Sequence, residues 1–219
     1  MNILSSFLLA RFIKKEPVSS VFGFDRGEPI DRYYIEKFLT QNSRHIKGHV
    51  LEIAENTYTI KFGGEKIEKS LIMHKDKFAP GANIIGDLAT GEGILENVAD
   101  CFILTQTLPF IFDLHSCVKN SVKMLKSGGV LLVSVPGITQ ISRYDMQRWG
   151  HYWGFTDLSL RRLYETVVPP ECIEIQTYGN AKAAACFLYG LAQKEISRKV
   201  LDYSNPDYQI IITAVVRKP

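Results

Sequence analysis

A short segment in the second half of the chain concentrates side chains that could bind and activate a polar molecule. Residues 142–156, with the sequence SRYDMQRWGHYWGFT, combine aromatic rings with charged groups and one imidazole. Aromatic faces beside polar groups suit a sugar ring, and a neutral imidazole can accept a hydroxyl proton. We predict that His151 is a general base; the alternative is a packed aromatic loop that leaves His151 exposed. The side chains predicted to bind the substrate are Arg143, Tyr144, Trp149, Tyr152 and Trp153.

Five apolar runs place further polar side chains where the strands of a sheet would end. The runs are mostly continuous rather than alternating, which indicates parallel strands covered by helices on both faces. In such a sheet, ligands bind beyond the carboxyl ends of the strands, so the polar residues there are candidates for ligand binding. The predicted strands are HVLEIA at 49–54, KSLIMH at 69–74, NIIGDL at 83–88, ADCFILTQTL at 99–108 and GVLLVSVPG at 129–137.

Helical periodicity and terminal residues predict the elements that cover this sheet. Pro29 is expected to open the first helix, and the glycine pair at 128–129 is expected to end the second. Two later segments alternate in polarity and predict two more strands, at 172–179 and 208–218. The predicted helices span 29–43, 112–129, 156–167 and 180–196.

Composition restricts the class of protein. The chain has 219 residues, of which 46% are hydrophobic, and this suits one globular domain with a substantial core. A net charge of +3 is too weak to indicate nucleic acid as the main partner. The cysteines form no CxxC pair and have no histidine at metal-ligand spacing, so we expect free thiols in a reducing, cytoplasmic compartment. They are Cys101, Cys117, Cys172 and Cys186.

The first 20 residues differ from the rest and are predicted to be an amphipathic extension of a single domain at 21–219. Their apolar run is too short to span a membrane, and its lysines follow the run, where a signal peptide would need them before it. We expect a helix that docks on the domain or on a second copy of the chain; a membrane-surface anchor is the alternative. Its apolar face would hold Ile3, Leu4, Phe7, Leu8 and Phe12.

Several segments, in order along the chain, carry a resemblance to a known family. VLEIA, GDL, DCFILTQTL and MLKSGGVLLVSVP resemble the Rossmann-like S-adenosylmethionine-dependent methyltransferases. RGEPIDRYYIEKFL, LEIAENTYTIKFGG and ISRYDMQRWGHYWGFT resemble a narrower bacterial branch of type 11-like methyltransferases, associated with surface polysaccharide or glycan biosynthesis and sometimes fused to glycosyltransferases. The resemblance covers residues 21–218. It implies a doubly wound α/β fold, with a mostly parallel sheet of about seven strands whose last strand is antiparallel.

The resemblance also implies which residues hold the cofactor, S-adenosylmethionine. The family's Gly-x-Gly turn is replaced here by Ala54-Glu55-Asn56. Glu52 matches the acidic residue before that turn, and the alternative is a capping carboxylate at a strand end. Asp76 could meet the ribose or lie in a solvated turn. The full predicted set is Glu52, Ala54, Asn56 and Tyr58 around the turn, Asp76 at the ribose, Asp87 and Leu88 at the adenine, and Thr105, Gln106 and Thr107 at the end of the fourth strand.

Three functions compete at this point. The first is O-methylation of a sugar or glycan precursor. The second is a catalytically inactive methyltransferase-like module that binds a partner such as a glycosyltransferase, which the loss of the turn glycines would explain. The third is a nicotinamide-dependent oxidoreductase, and the absence of Gly-x-Gly-x-x-Gly after the first strand disfavours it.

Overall fold

A computed structural model describes residues 14–219, which form a sheet of seven strands flanked by helices. The predicted apolar face at 3–12 lies outside the described residues. The strands are β1 Gly48–Ile53, β2 Ile67–His74, β3 Ile84–Ile85, β4 Ala99–Thr105, β5 Leu125–Pro136, β6 Ile173–Tyr178 and β7 Ile211–Arg217. The helices are α1 Ile30–Gln41, α2 Thr57–Gly63, α3 Leu114–Met124, α4 Arg143–Arg148, α5 Asp157–Glu165, α6 Ala181–Leu188 and α7 Arg198–Asp202.

The order of the strands in the sheet is β3-β2-β1-β4-β5-β7-β6. The first five strands in this order are parallel, and β7 runs antiparallel to both of its neighbours. The predicted fold class, mostly parallel with an antiparallel last strand, is therefore confirmed. The strand order reverses between β1 and β4, and such a reversal opens a crevice at the carboxyl ends of the strands.

Two apolar cores cover the two faces of the sheet. Neighbouring residues of the central strands point to opposite faces, so Leu51 and Phe102 enter one core while Val50 and Cys101 enter the other. Helices α3 and α5 cover the first face, and α1 and α6 cover the second. Burial on both sides explains why these strands are continuously apolar in the sequence.

Several predicted boundaries differ from the structure, for identifiable reasons. The helix predicted at 112–129 ends at Met124 because Leu125 pairs with Ala99 and begins β5. The helix predicted at 180–196 ends near Gly190, whose φ of +74° is a left-handed helix terminus that glycine favours. The third and fourth strands are shorter than predicted, and α2 and α4 lie in segments for which no helix was predicted.

The segment before α1 packs along the end of α6. Val18 and Ser19 both donate backbone hydrogen bonds to the carbonyl of Tyr189, and the Phe22 ring lies 6.2 Å from that of Phe187. The domain boundary predicted at residue 20 stays a prediction. All four cysteines are free thiols, as expected from the sequence. No helix within residues 14–219 is both long enough and apolar enough to cross a membrane.

Candidate functional site

A cavity of about 500 Å³ opens at the carboxyl ends of β1, β2 and β4, where the strand order reverses. This volume lies within the range of pockets that bind small molecules or cofactors. Its wall combines residues from the strand ends with one side of the segment 142–156. The lining residues are Ile53, Ala54, Met73, His74, Lys75, Gly86, Asp87, Leu88, Ala89, Thr105, Gln106, Thr107, Phe110, Ile111, Phe112, Asp145, Trp149 and Tyr152.

The turn after β1 has the backbone of a glycine turn without the glycine. Ala54 has a φ of +68°, in the left-handed region that glycine occupies at little cost. Its N–H donates to the carbonyl of Met73 at 2.9 Å, which ties the turn to the end of β2. A left-handed conformation costs an L-residue about 1–2 kcal/mol. The surrounding structure therefore holds Ala54 in this conformation, and Ala54 lines the cavity.

The carboxylate of Glu52 caps the helix that follows this turn. Oε1 accepts from the N–H of Tyr58 at 3.2 Å, while Oε2 accepts from both the N–H and the hydroxyl of Thr59 at 2.8 Å. Burial raises the pKa of Glu52, and these hydrogen bonds only partly offset the effect. Glu52 is not among the cavity-lining residues, so it shapes the site by holding the first turn of α2 in place.

The other two predicted residues of this turn face away from the cavity. The Asn56 amide donates to the Ser70 hydroxyl at 3.0 Å, which ties the turn to β2. The Tyr58 ring is buried in the core beneath α1, 5.9 Å from the ring of Phe62. Of the predicted turn residues, only Ala54 lines the cavity.

At the end of β2, the imidazole of His74 lies in the cavity wall, two residues before Asp76, which was predicted to bind the ribose. His74 lines the cavity, and its Nδ1 accepts from the N–H of Asp76 at 2.8 Å. Asp76 is exposed, and its carboxylate accepts from the N–H of Phe78 within its own turn. Asp76 is therefore outside the cavity lining, whereas His74, which was not predicted as a site residue, lies in it.

Asp87 and Leu88, which the resemblance places beside the adenine, both line the cavity. The Asp87 carboxylate accepts from the N–H of Ala89 at 2.8 Å and forms a 2.8 Å ion pair with Lys75. Burial acts to raise the pKa of Asp87, but the Lys75 ammonium and the Ala89 N–H together lower it below its usual value. Asp87 therefore stays ionised and can accept hydrogen bonds. Lys75 was not among the residues predicted to bind the cofactor.

The three residues predicted at the end of the fourth strand lie in the cavity wall. They are Thr105, Gln106 and Thr107. Gln106 is a second left-handed residue, with a φ of +51°. Its backbone N–H donates to the Ser134 carbonyl at 2.8 Å and its side-chain amide to the Ser134 hydroxyl at 3.3 Å. The end of β5 therefore fixes the turn that follows β4.

The segment 142–156 divides between the cavity and the surface. Trp149 and Tyr152 line the cavity, and the Trp149 ring meets His74 edge to face with ring centres 5.9 Å apart. Trp153 lies beside the opening, where its indole N–H donates to the carbonyl of Ile111 at 3.1 Å and its ring stacks on Phe112. These rings remain substantially exposed, which disfavours the alternative of a packed aromatic loop.

Three other predicted residues lie outside the cavity lining. Tyr144 is 65% exposed and its ring is covered by the Arg148 guanidinium. Arg143 contacts the sulfur of Met146 on the same helix. The Nδ1 of His151 accepts from the backbone N–H of Ser142 at 3.3 Å. Burial lowers the pKa of His151, although the nearby Asp145 carboxylate opposes that shift.

Comparison with solved structures supports the fold, whereas comparison with family models and curated proteins finds no match. Among solved structures, the N-methyltransferase NodS from Bradyrhizobium japonicum WM9 in complex with S-adenosyl-L-homocysteine aligns with a TM-score of 0.55 and 16% identity. The alignment covers 98% of this chain and 97% of that one.

Two further structures show what the likeness does and does not establish. A SAM-dependent methyltransferase from Archaeoglobus fulgidus aligns with a TM-score of 0.54 and 10% identity over 85% of this chain and 94% of that one. The [4+2]-cyclase SpnF aligns with a TM-score of 0.52 and 14% identity over 85% and 81%. The same architecture therefore also occurs in a protein named as a cyclase. The chain has the fold of the S-adenosylmethionine-dependent methyltransferases.

Proposed function

We propose that this protein is a methyltransferase that uses S-adenosylmethionine. The observation that carries the proposal is the cavity at the strand-order reversal, with the left-handed turn at Ala54 on one side and the ionised Asp87 on the other. Ligands of doubly wound sheets bind at this position. The structural neighbour NodS is in complex with S-adenosyl-L-homocysteine, which supports the choice of cofactor.

The residues of the cavity fit the parts of this cofactor unequally. Asp87 and Leu88 provide a hydrogen-bond acceptor and an apolar surface for an adenine, and the turns at Ala54 and Gln106 bring backbone close to the methionyl end. The ribose would meet His74, which offers one ring nitrogen because the other accepts from Asp76. When bound, S-adenosylmethionine supplies an electrophilic methyl group. The chain positions the acceptor against it, and such positioning is a large part of catalysis.

We propose a hydroxyl of a sugar or glycan precursor as the methyl acceptor. Trp149 and Tyr152 line the opening of the cavity and leave part of their rings exposed, which suits stacking on a sugar ring. The resemblance of the segment 141–156 to the polysaccharide-associated branch supports the same acceptor class. Free thiols support a location in a reducing compartment such as the cytoplasm.

Titration calorimetry with S-adenosylmethionine and with S-adenosylhomocysteine tests the proposed cofactor. We expect saturable binding of both ligands and a higher melting temperature at saturating ligand. NAD⁺ is the control ligand and should give neither effect. Folded protein that shows no heat and no thermal shift with either cofactor form would refute the proposal.

A second candidate is an inactive methyltransferase-like module that holds a partner such as a glycosyltransferase or a second copy of the chain. Two observations favour it. Ala54 places a methyl group at the turn where the family has glycine, and the Asp76 carboxylate accepts a hydrogen bond within its own turn and does not line the cavity. Incubation with labelled S-adenosylmethionine and glycan precursor fractions separates the two functions. Cofactor binding without label transfer to any fraction favours the inactive module, and label in a glycan excludes it.

A further inference from the structure

One carboxylate of the cavity wall has no cationic partner. Asp145 lines the cavity, and within residues 14–219 no lysine, arginine or histidine nitrogen lies within 4.0 Å of its carboxylate. The other lining carboxylate, Asp87, is neutralised by Lys75. The negative charge of Asp145 is therefore available to a cation that enters the cavity. Asp145 was not predicted as a site residue from the sequence, because it is one of several charged residues in its segment.

Local hydrogen bonds hold this carboxylate in a defined position. Ser142 is the N-cap of α4, and its hydroxyl donates to Asp145 Oδ2 at 2.5 Å while the Asp145 N–H donates back to that hydroxyl oxygen at 3.2 Å. Within the described residues, Oδ1 has no hydrogen-bond partner. One carboxylate oxygen is thus anchored, and the other can accept a hydrogen bond from a ligand.

Helical spacing places Asp145 beside an aromatic ring of the same wall. Residues four apart share one face of a helix, and Asp145 and Trp149 both line the cavity. A carboxylate next to an aromatic face is a suitable environment for a positive charge. Asp145 and Trp149 therefore form one part of the cavity wall, and this part has a net negative charge.

The neighbouring imidazole is not directed into this wall. His151 Nδ1 accepts from the N–H of Ser142, so the lone pair that a neutral imidazole would use as a base is engaged. His151 is also absent from the residues that line the cavity. Asp145 is consequently better placed than His151 to receive a proton from a bound acceptor.

We infer that Asp145 faces the transferred methyl group, where its charge stabilises the cationic cofactor and its Oδ1 receives the proton of the acceptor. This inference rests on the proposed function. Methyl transfer breaks the sulfur–methyl bond, leaves the electron pair on sulfur, forms the oxygen–methyl bond and releases the acceptor proton to Asp145. The product thioether is neutral, so the attraction to Asp145 is lost once the methyl group has been transferred.

Three ligands that differ in charge at one position test the inference by titration calorimetry, without a known acceptor. S-adenosylmethionine has a sulfonium, sinefungin has an ammonium in its place, and S-adenosylhomocysteine is neutral there. We expect Asp145→Asn to weaken binding of the two cations about tenfold and to change binding of the neutral ligand less than about twofold. Ser142→Ala, which removes the anchor, should give a smaller loss in the same direction.

The matched control is Asp207→Asn, which removes an exposed carboxylate far along the chain and should change none of the three affinities. Equal weakening of all three ligands by Asp145→Asn, or no change in any of them, would overturn the inference and leave the proposed function standing. Absence of binding of all three ligands to the unmodified protein would overturn both. Melting temperatures of each variant show whether it is folded, and Ser142→Ala keeps the test valid if Asp145→Asn is not.

Discussion

Replacing Ala54 by glycine should stabilise the protein, although alanine-to-glycine changes usually destabilise. Ala54 has a φ of +68°. Removing the backbone strain of an L-residue in this left-handed conformation should stabilise the folded state by about 1–2 kcal/mol. Glycine adds freedom to the unfolded chain, and this costs about 0.4–1 kcal/mol. The difference predicts a gain of roughly 0.5–1 kcal/mol in the free energy of unfolding.

Ala89→Gly is a matched control because Ala89 lines the same cavity without a positive φ. It should lose about 0.4–1 kcal/mol, since only the unfolded-state effect applies. Urea unfolding measures both variants, with the slope of the transition expected to be unchanged. A loss for Ala54→Gly as large as that for Ala89→Gly would refute the left-handed turn. Calorimetry on Ala54→Gly should also show tighter binding of S-adenosylmethionine, because the Cβ no longer projects from the turn.

Two further predictions concern buried or paired carboxylates. Glu52→Gln should destabilise the protein by about 1–3 kcal/mol in urea unfolding, because the new amide nitrogen would face a backbone N–H donor of α2. The control is Glu68→Gln at an exposed position, which should change the free energy of unfolding by less than about 0.5 kcal/mol. Asp87 has a pKa below its ordinary 3.8, so its stabilising contribution is present above about pH 4 and is lost as the pH falls through the folded-state pKa. Asp87→Asn should therefore flatten the fall in stability below about pH 4, and an unchanged pH profile would contradict the Lys75 pairing.

The sequence predicted the sheet well because each central strand is apolar at consecutive positions. This pattern requires burial on both faces, as Val50 and Leu51 show by entering different cores. It also located the cavity edge, since Ala54, Asp87 and Thr105 lie near the carboxyl ends of predicted strands and all line the cavity. Ligand sites of such sheets lie at these strand ends.

The helix boundaries were less predictable because they depend on contacts between distant residues. Leu125 leaves the helical pattern because it pairs with Ala99 across the sheet. Short helices such as α2 and α4 have few residues and weak periodicity, so the residues that cap them determine where they form. The α2 cap is Glu52, a residue of the preceding strand, and no local pattern shows that its carboxylate would turn toward Thr59.

The sequence alone determined the class of fold, the edge of the sheet at which the cavity opens, and the segment that contributes Trp149 and Tyr152 to the cavity wall. These follow from local polarity and periodicity. Only the tertiary structure decided which side chains face the cavity. It turned Asp76 and Tyr58 away, paired Lys75 with Asp87 and left Asp145 without an ion-pair partner among residues 14–219. Such contacts depend on the directions that distant elements impose on each side chain.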